Sequence, residues 1–234
     1  MSRKTGTGLG TPLASGGAMT SLPRLLFSEA GRMIRSRIGL GARPWMRNRE
    51  VDLLLDVLAL LAPRKCLEIG CGFSTLFLPR SLSPDTSWRA LETDSAWQVR
   101  IRGKATRQGT TVELVGDSPA EILEAAHRGA PYEFLLIDGG PRRQLIESSD
   151  GLVSEDGLVL VHDANRPGYR ESAIPFDHRE SILDYRRNLP RGDGGFLVMG
   201  KWNFSAAFDV EKHQAVFRCL ERAGPLLSRL GVTI

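Results

Sequence analysis

A chain of 234 residues is long enough to bury a full core and fits one domain with decoration. Its 31 basic and 27 acidic side chains leave a formal charge of only +4, and no interleaving of basic with aromatic residues supports nucleic-acid binding. No apolar run approaches the roughly 20 residues needed to span a bilayer, and Cys66, Cys71 and Cys219 form neither an even disulfide framework nor a zinc-ligand spacing, so a reduced, cytoplasmic setting is expected.

Residues 1–21, with Gly6, Gly8, Gly10, Gly16 and Gly17, hold too little apolar surface to order and are expected to be a flexible tail. Over 22–44 the pattern changes. Leu22, Leu25, Leu26, Ala30, Met33, Ile34 and Ile38 recur at helical spacing among Arg24, Arg32, Arg35 and Arg37. Such a basic amphipathic helix suits peripheral contact with an anionic membrane through 22–38, an organelle-targeting segment, or a helix packed over the core or the site. The main domain is expected over 45–234. A clearer amphipathic helix spans Glu50 to Leu61 and is ended by Pro63. Just before it, Trp45 fits either a packed core position or the entrance to a site.

Lys65 to Ile69, a short apolar run carrying Glu68, breaks into Gly70-Cys71-Gly72-Phe73-Ser74-Thr75 and then into a helical pattern. This is how a chain floors a nucleoside-bearing ligand at the edge of a parallel sheet. Gly70 and Gly72 are expected to allow a sharp turn and close approach to that ligand. Glu68, late in the strand, is expected to stay wet and accept hydrogen bonds. Thr75 stands where a dinucleotide loop carries its third glycine, and no phosphate-cradling P-loop pattern occurs.

Four further apolar runs follow. Ser87 to Leu91 ends in Glu92, twenty residues after Gly72, the distance at which an acid accepts ribose hydroxyls; Asp94 is the second candidate. Thr111 to Val115 leads into Gly116-Asp117-Ser118, Phe134 to Ile137 into Asp138-Gly139-Gly140, and Gly157 to Val161 into His162-Asp163-Ala164-Asn165. Alternating with helical segments, these runs predict an α/β, Rossmann-like doubly wound sheet with helices on both faces and a site at the carboxyl ends of its strands.

From about residue 45 to 165 the chain resembles the class I S-adenosylmethionine-dependent methyltransferases. Within them it looks most like the catechol O-methyltransferase-like branch. The resemblance rests on Leu67-Glu68-Ile69-Gly70-Cys71-Gly72-Phe73-Ser74-Thr75, Leu91-Glu92-Thr93-Asp94, Leu136-Ile137-Asp138-Gly139 and Val161-His162-Asp163. It implies a mostly parallel sheet with an antiparallel last strand, S-adenosylmethionine as cofactor, and O-methylation of a small-molecule acceptor. The implied cofactor contacts are Glu68, Gly70, Cys71, Gly72, Ser74, Thr75, Glu92 and Asp138, with Asp117 and Ser118 bracketing the adenine.

The resemblance further implies a magnesium ion held by Asp138, Asp163 and an asparagine. Here the asparagine is displaced by one position to Asn165, behind Ala164. The branch's catalytic lysine is replaced by Pro141, with Arg142 and Arg143 just beyond. Asp138, His162 and Asp163 are the candidate catalytic residues. Without a metal, His162 is the first candidate general base, since its ordinary pKa lies near neutrality. Strand alternation would nevertheless send His162 and Asp163 to opposite faces unless the strand has already ended. Asp138 is the other candidate base and His178 a third. Arg142 and Arg143 suit bidentate contact with an anionic acceptor, or simply an exposed loop.

Residues 166–195 are expected to form an acceptor-side insertion with a helix from Arg179 to Leu189. Strand six is expected at Phe196 to Gly200, an antiparallel strand seven at Phe204 to Val210, and a helix over Glu211 to Ala223. Two other functions fit the same sequence: a metal-dependent hydroxylase on this fold, or a non-catalytic cofactor-binding module that docks on a membrane or partner.

Overall fold

The computed structural model describes residues 46, 48–166, 168–183 and 194–229. The expected tail, the basic segment 22–44 and Trp45 lie outside the described residues, as does most of the helix expected from Arg179 to Leu189.

The helix α1 (Asn48–Leu61) forms because Val51, Leu54, Val57 and Leu58 recur on one face and bury there. Ala62, at φ +42°, and Pro63 then stop it. Seven strands follow: β1 (Lys65–Ile69), β2 (Ser87–Glu92), β3 (Thr111–Leu114), β4 (Tyr132–Ile137), β5 (Val153–His162), β6 (His178–Ile182) and β7 (Phe196–Gly200). Between them lie α2 (Phe73–Phe77), α3 (Ser95–Thr106), α4 (Pro119–His127) and α5 (Arg142–Glu147), and α6 (Val210–Arg229) closes the described chain. The sheet order is β3-β2-β1-β4-β5-β7-β6, and only β7 runs antiparallel to its neighbours.

The central strands read as near-continuous apolar runs because both faces of the sheet are covered. Period-two alternation divides them between two layers. Phe134, Leu136, Leu158 and Leu160 pack with Leu54, Val57 and Phe217 of α1 and α6. Leu135, Ile137, Val159 and Val161 pack with Ile122 of α4 and Leu145 of α5.

The parallel register fixes where the site lies. Ile69 pairs with Leu91 and with Ile137, and Ile137 pairs with Val161. Gly70, Glu92, Asp138 and His162, each one residue further on, therefore emerge along one edge of the sheet.

The carboxyl-terminal third departs from expectation. His178–Ile182 is an edge strand rather than the start of a helix, its charged Arg179 and Glu180 being tolerated because an edge is covered on one side only. The antiparallel strand is Phe196–Gly200, not Phe204 to Val210. Phe204 and Phe208 are both buried, four residues apart, a spacing that brings side chains together in helical backbone; Phe204–Ala206 is accordingly a 3-10 turn. Asp209 Oδ1 accepts from Lys212 N at 2.8 Å and caps α6, which runs past the expected Ala223. Among the described residues, no helix is long and apolar enough to cross a membrane.

Candidate active site

The glycine loop divides its labour between structure and opening. Gly70 sits at φ +91°, and a Cβ placed there would lie 2.8 Å from Gly139 Cα and N. Its lack of a side chain therefore serves the contact between the β1 and β4 loops, not only a turn. Gly72 is different: its backbone is extended, and a Cβ on it would meet no atom within 4 Å. Thr75 is buried, and its Oγ1 accepts from Gly72 N at 2.8 Å, so the threonine in the third-glycine position ties the loop to the first turn of α2.

Glu68 is not wet. It is completely buried, and its carboxylate accepts from Ser74 Oγ and, at 3.0 Å, from Trp88 Nε1. Burial pushes its pKa up to about 7, against the lowering effect of hydrogen bonds from Ser74, Thr75 and Trp88. Glu92 at the end of β2 accepts from Cys71 N at 2.9 Å on one oxygen, and from Thr93 N at 2.8 Å and Asp94 N at 2.9 Å on the other. Three of its roughly four acceptor positions are thus held by backbone, which fixes the orientation of the fourth. Asp94 is committed elsewhere, capping α3 through Trp97 N at 3.0 Å. Ser118 caps α4 by accepting from Glu121 N at 3.3 Å, and Asp117 is exposed beside it.

At the ends of β4 and β5 lies a compact charge cluster. His162 is the last residue of β5, and Asp163, at φ +62°, has left the strand, so alternation no longer separates their side chains. His162 Nδ1 lies 2.7 Å from Asp138 Oδ1 and 3.7 Å from Asp163 Oδ1, and its Nε2 is 3.4 Å from Glu50 Oε1 of α1. Burial alone would lower the imidazole pKa; the facing Asp138 and Glu50 carboxylates override it and hold His162 well above its ordinary value. The same carboxylates hold the imidazole toward its charged form, which has no lone pair to act as a base.

Arg142 stands in the middle of the cluster. Nη1 donates to Asp163 Oδ2 at 2.7 Å and to the His162 carbonyl at 2.9 Å; Nη2 donates to the Asp138 carbonyl at 2.6 Å and to Asp138 Oδ1 at 3.1 Å. Its guanidinium is buried and four of its five N–H donors go to protein oxygens, leaving an anionic acceptor little to bind. Arg143 is exposed and pairs with Glu147 at 3.2 Å. Asp163 also accepts from Gly194 N at 2.8 Å and pairs with Arg166 at 3.0 Å. Asn165 donates its backbone N–H to the Gly194 carbonyl at 3.2 Å. His178, aligned through Gly200 with Leu158, starts its strand at the opposite end of the sheet and takes no part in the site.

Glu50 and Gly194 enter the cluster with no signal in the sequence, since each is placed there by tertiary contact alone. Asp138 is the acid that keeps partial exposure, with a side chain 22% accessible. It borders a cavity of about 40 Å³ walled by Met46, Val51, Leu54, Phe73 and Phe77 beside Gly72 and Ser74.

Asp138, His162 and Asp163 place potential ligand atoms within 4.8 Å of one another, yet they do not fit a magnesium ion. Both oxygens of Asp163 and one of Asp138 are already engaged, and a guanidinium lies between the two carboxylates. A hard cation needs about six oxygen ligands.

No family model matches the chain. Among solved structures it is similar to an O-methyltransferase from Bacillus cereus in complex with SAH, at 18% identity and a TM-score of 0.52, covering 72% of this chain and 88% of that one. A cofactor-bound protein from MTB matches at 21% identity and a TM-score of 0.51, over 77% of this chain and 91% of its own. A protein of Klebsiella pneumoniae, described provisionally as an O-methyltransferase, matches at 20% identity and 0.51, over 80% and 92%. The chain has the Rossmann-like methyltransferase fold shared by these structures, six strands running one way and the seventh in sequence antiparallel.

Proposed function

We propose that this chain is an S-adenosylmethionine-dependent methyltransferase acting on a hydroxyl of a small-molecule acceptor. The observation that carries the reading is the paired arrangement at the sheet edge. Gly72 opens its backbone face, and Glu92 is locked by three backbone N–H groups beside it. An extended backbone without a side chain, next to an oriented carboxylate at the end of β2, suits a nucleoside whose ribose hydroxyls need an acceptor. Gly70, Cys71, Gly72, Ser74 and Thr75 would form the floor, Glu92 would hold the ribose, and the turn at Asp117 and Ser118 would flank the adenine. Glu68 would support the floor from beneath through Ser74.

When bound, the cofactor supplies a sulfonium methyl group open to displacement. The chain's own part is alignment and removal of one proton. Asp138 is suited to that proton, because Oδ1 is anchored by His162 and Arg142 while the carboxylate stays partly exposed at the cavity. Asp138 would accept the hydrogen of the acceptor hydroxyl, leaving that oxygen free to take the methyl group the cofactor would supply. Apolar walls at Met46, Val51, Phe73 and Phe77 favour an acceptor with an apolar body.

Calorimetric titration with S-adenosylhomocysteine tests this. Binding that weakens by at least about tenfold in Glu92→Ala, equivalent to about 1.4 kcal/mol, supports the reading. Absence of binding by folded wild-type protein refutes it.

A further inference from the structure

We propose that the Arg142 guanidinium is the resident cation of the Asp138–Asp163 site, filling the position a divalent metal would require, so that this cluster binds no divalent cation. The inference uses the methyltransferase reading only to say where a metal would be sought; its test is read without turnover.

The local sequence makes the placement possible. Gly140, at φ +67°, turns the chain directly after β4, and Arg142 begins α5, so its side chain folds back over Asp138 four residues earlier. The two Nη atoms then reach two different carboxylates, 3.1 Å from Asp138 Oδ1 and 2.7 Å from Asp163 Oδ2. A planar fork with fixed donors is suited to bridging oxygens in this way. The Tyr169 ring, its centroid 6.0 Å from Arg142 Cζ, covers the cation from the loop after β5.

Charge balance points the same way. The carboxylates of Asp138 and Asp163 both face the Arg142 guanidinium, and Asp163 also faces Arg166. Carboxylates already paired with fixed cations exert less electrostatic demand for a further positive charge. A divalent ion would have to displace a buried guanidinium from four oxygens and leave that cation uncompensated.

The test is Mn²⁺ binding to the full chain, followed by equilibrium dialysis and electron paramagnetic resonance. Wild-type protein is expected to retain no Mn²⁺ at this cluster. Arg142→Ala, which removes the cation bridging the two carboxylates, is expected to take up about one equivalent, and a second change, Asp138→Asn, should remove it. Arg142→Lys keeps the charge and is expected to stay metal-free. One equivalent bound to wild type and lost in Asp138→Asn would overturn the proposal. So would a folded Arg142→Ala that gains no Mn²⁺, since the guanidinium would then not be what occupies the site. If Arg142→Ala does not fold, the wild-type titration against Asp138→Asn still decides. Failure of S-adenosylhomocysteine binding would leave these outcomes unaffected.

Discussion

Replacing Glu68 by glutamine removes a charge from the most completely buried acid near the site. The carboxyl ordinarily titrates at 4.5 and is pushed up to about 7 in the folded chain. Between those values the folded state holds a proton that the unfolded state has released. Stability therefore falls as pH rises through this window and levels off above about 7. At 1.36 kcal/mol per pKa unit, the full span corresponds to about 3 kcal/mol. Glutamine keeps the hydrogen bonds, because its oxygen accepts from Trp88 Nε1 and its amide donates to Ser74 Oγ, but it never ionises. Urea unfolding should accordingly place Glu68→Gln within about 1 kcal/mol of wild type at pH 5, and about 3 kcal/mol more stable at pH 8.5. S-adenosylhomocysteine affinity should change little, as the acid lies beneath the floor and not on it. Parallel stability curves across this pH range, or a less stable variant at pH 8.5, would refute the argument.

The two loop glycines should separate stability from binding. Gly70→Ala meets both a positive φ and the Gly139 backbone and should cost more than about 3 kcal/mol by thermal or urea unfolding. Gly72→Ala meets open space and should shift stability by less than about 1 kcal/mol while weakening S-adenosylhomocysteine binding about tenfold or more by calorimetry. Burial would raise the Asp163 carboxyl, but the charges of His162 and Arg142 and the Gly194 N–H hold it below its ordinary range. Its contribution is therefore present above about pH 4 and lost as pH falls through the depressed value. Asp163→Asn should destabilise the protein by about 3 to 5 kcal/mol at pH 7 and flatten the acid limb of a melting-temperature profile, which circular dichroism can follow.

Strands β1, β2 and β4 and the second half of β5 are legible because they are central in the sheet: covered on both faces, they are mostly buried and apolar, and each ends where polar residues can emerge. Glu92 and Asp138 were legible for the same reason. The edge strand His178–Ile182 carries Arg179 and Glu180, and with one side unpaired it need not be apolar, so its composition imitates a solvated helix. Glu68 was found but misplaced, since strand alternation turns its side chain toward Trp88 and the α1 layer, and spacing alone does not report what covers a face. Glu50 could not have been found. Its carboxylate meets His162 only because α1 packs across the end of β5, and a glutamate in the first turn of an amphipathic helix is otherwise unremarked.

Asp163 joins these local facts into one. A non-glycine residue at φ +62° is strained, typically by 1 to 3 kcal/mol, although aspartate tolerates it better than most. That strain persists because the carboxylate is held by Gly194, Arg142 and Arg166 at once. The turn it makes brings His162 and Asp163 to the same side of the sheet edge, against Asp138. Three acids so close would repel one another or take up protons unless a cation stood among them. Arg142 provides that cation through a hydrogen-bonded fork, beside a His162 imidazole that the same carboxylates hold toward its charged form. Asp138 then keeps a fixed oxygen on the protein side and an exposed face toward the cavity, which is the geometry a proton acceptor needs. The residues after β4 and β5 thus act together, with the cation that bridges Asp138 and Asp163 built into the chain.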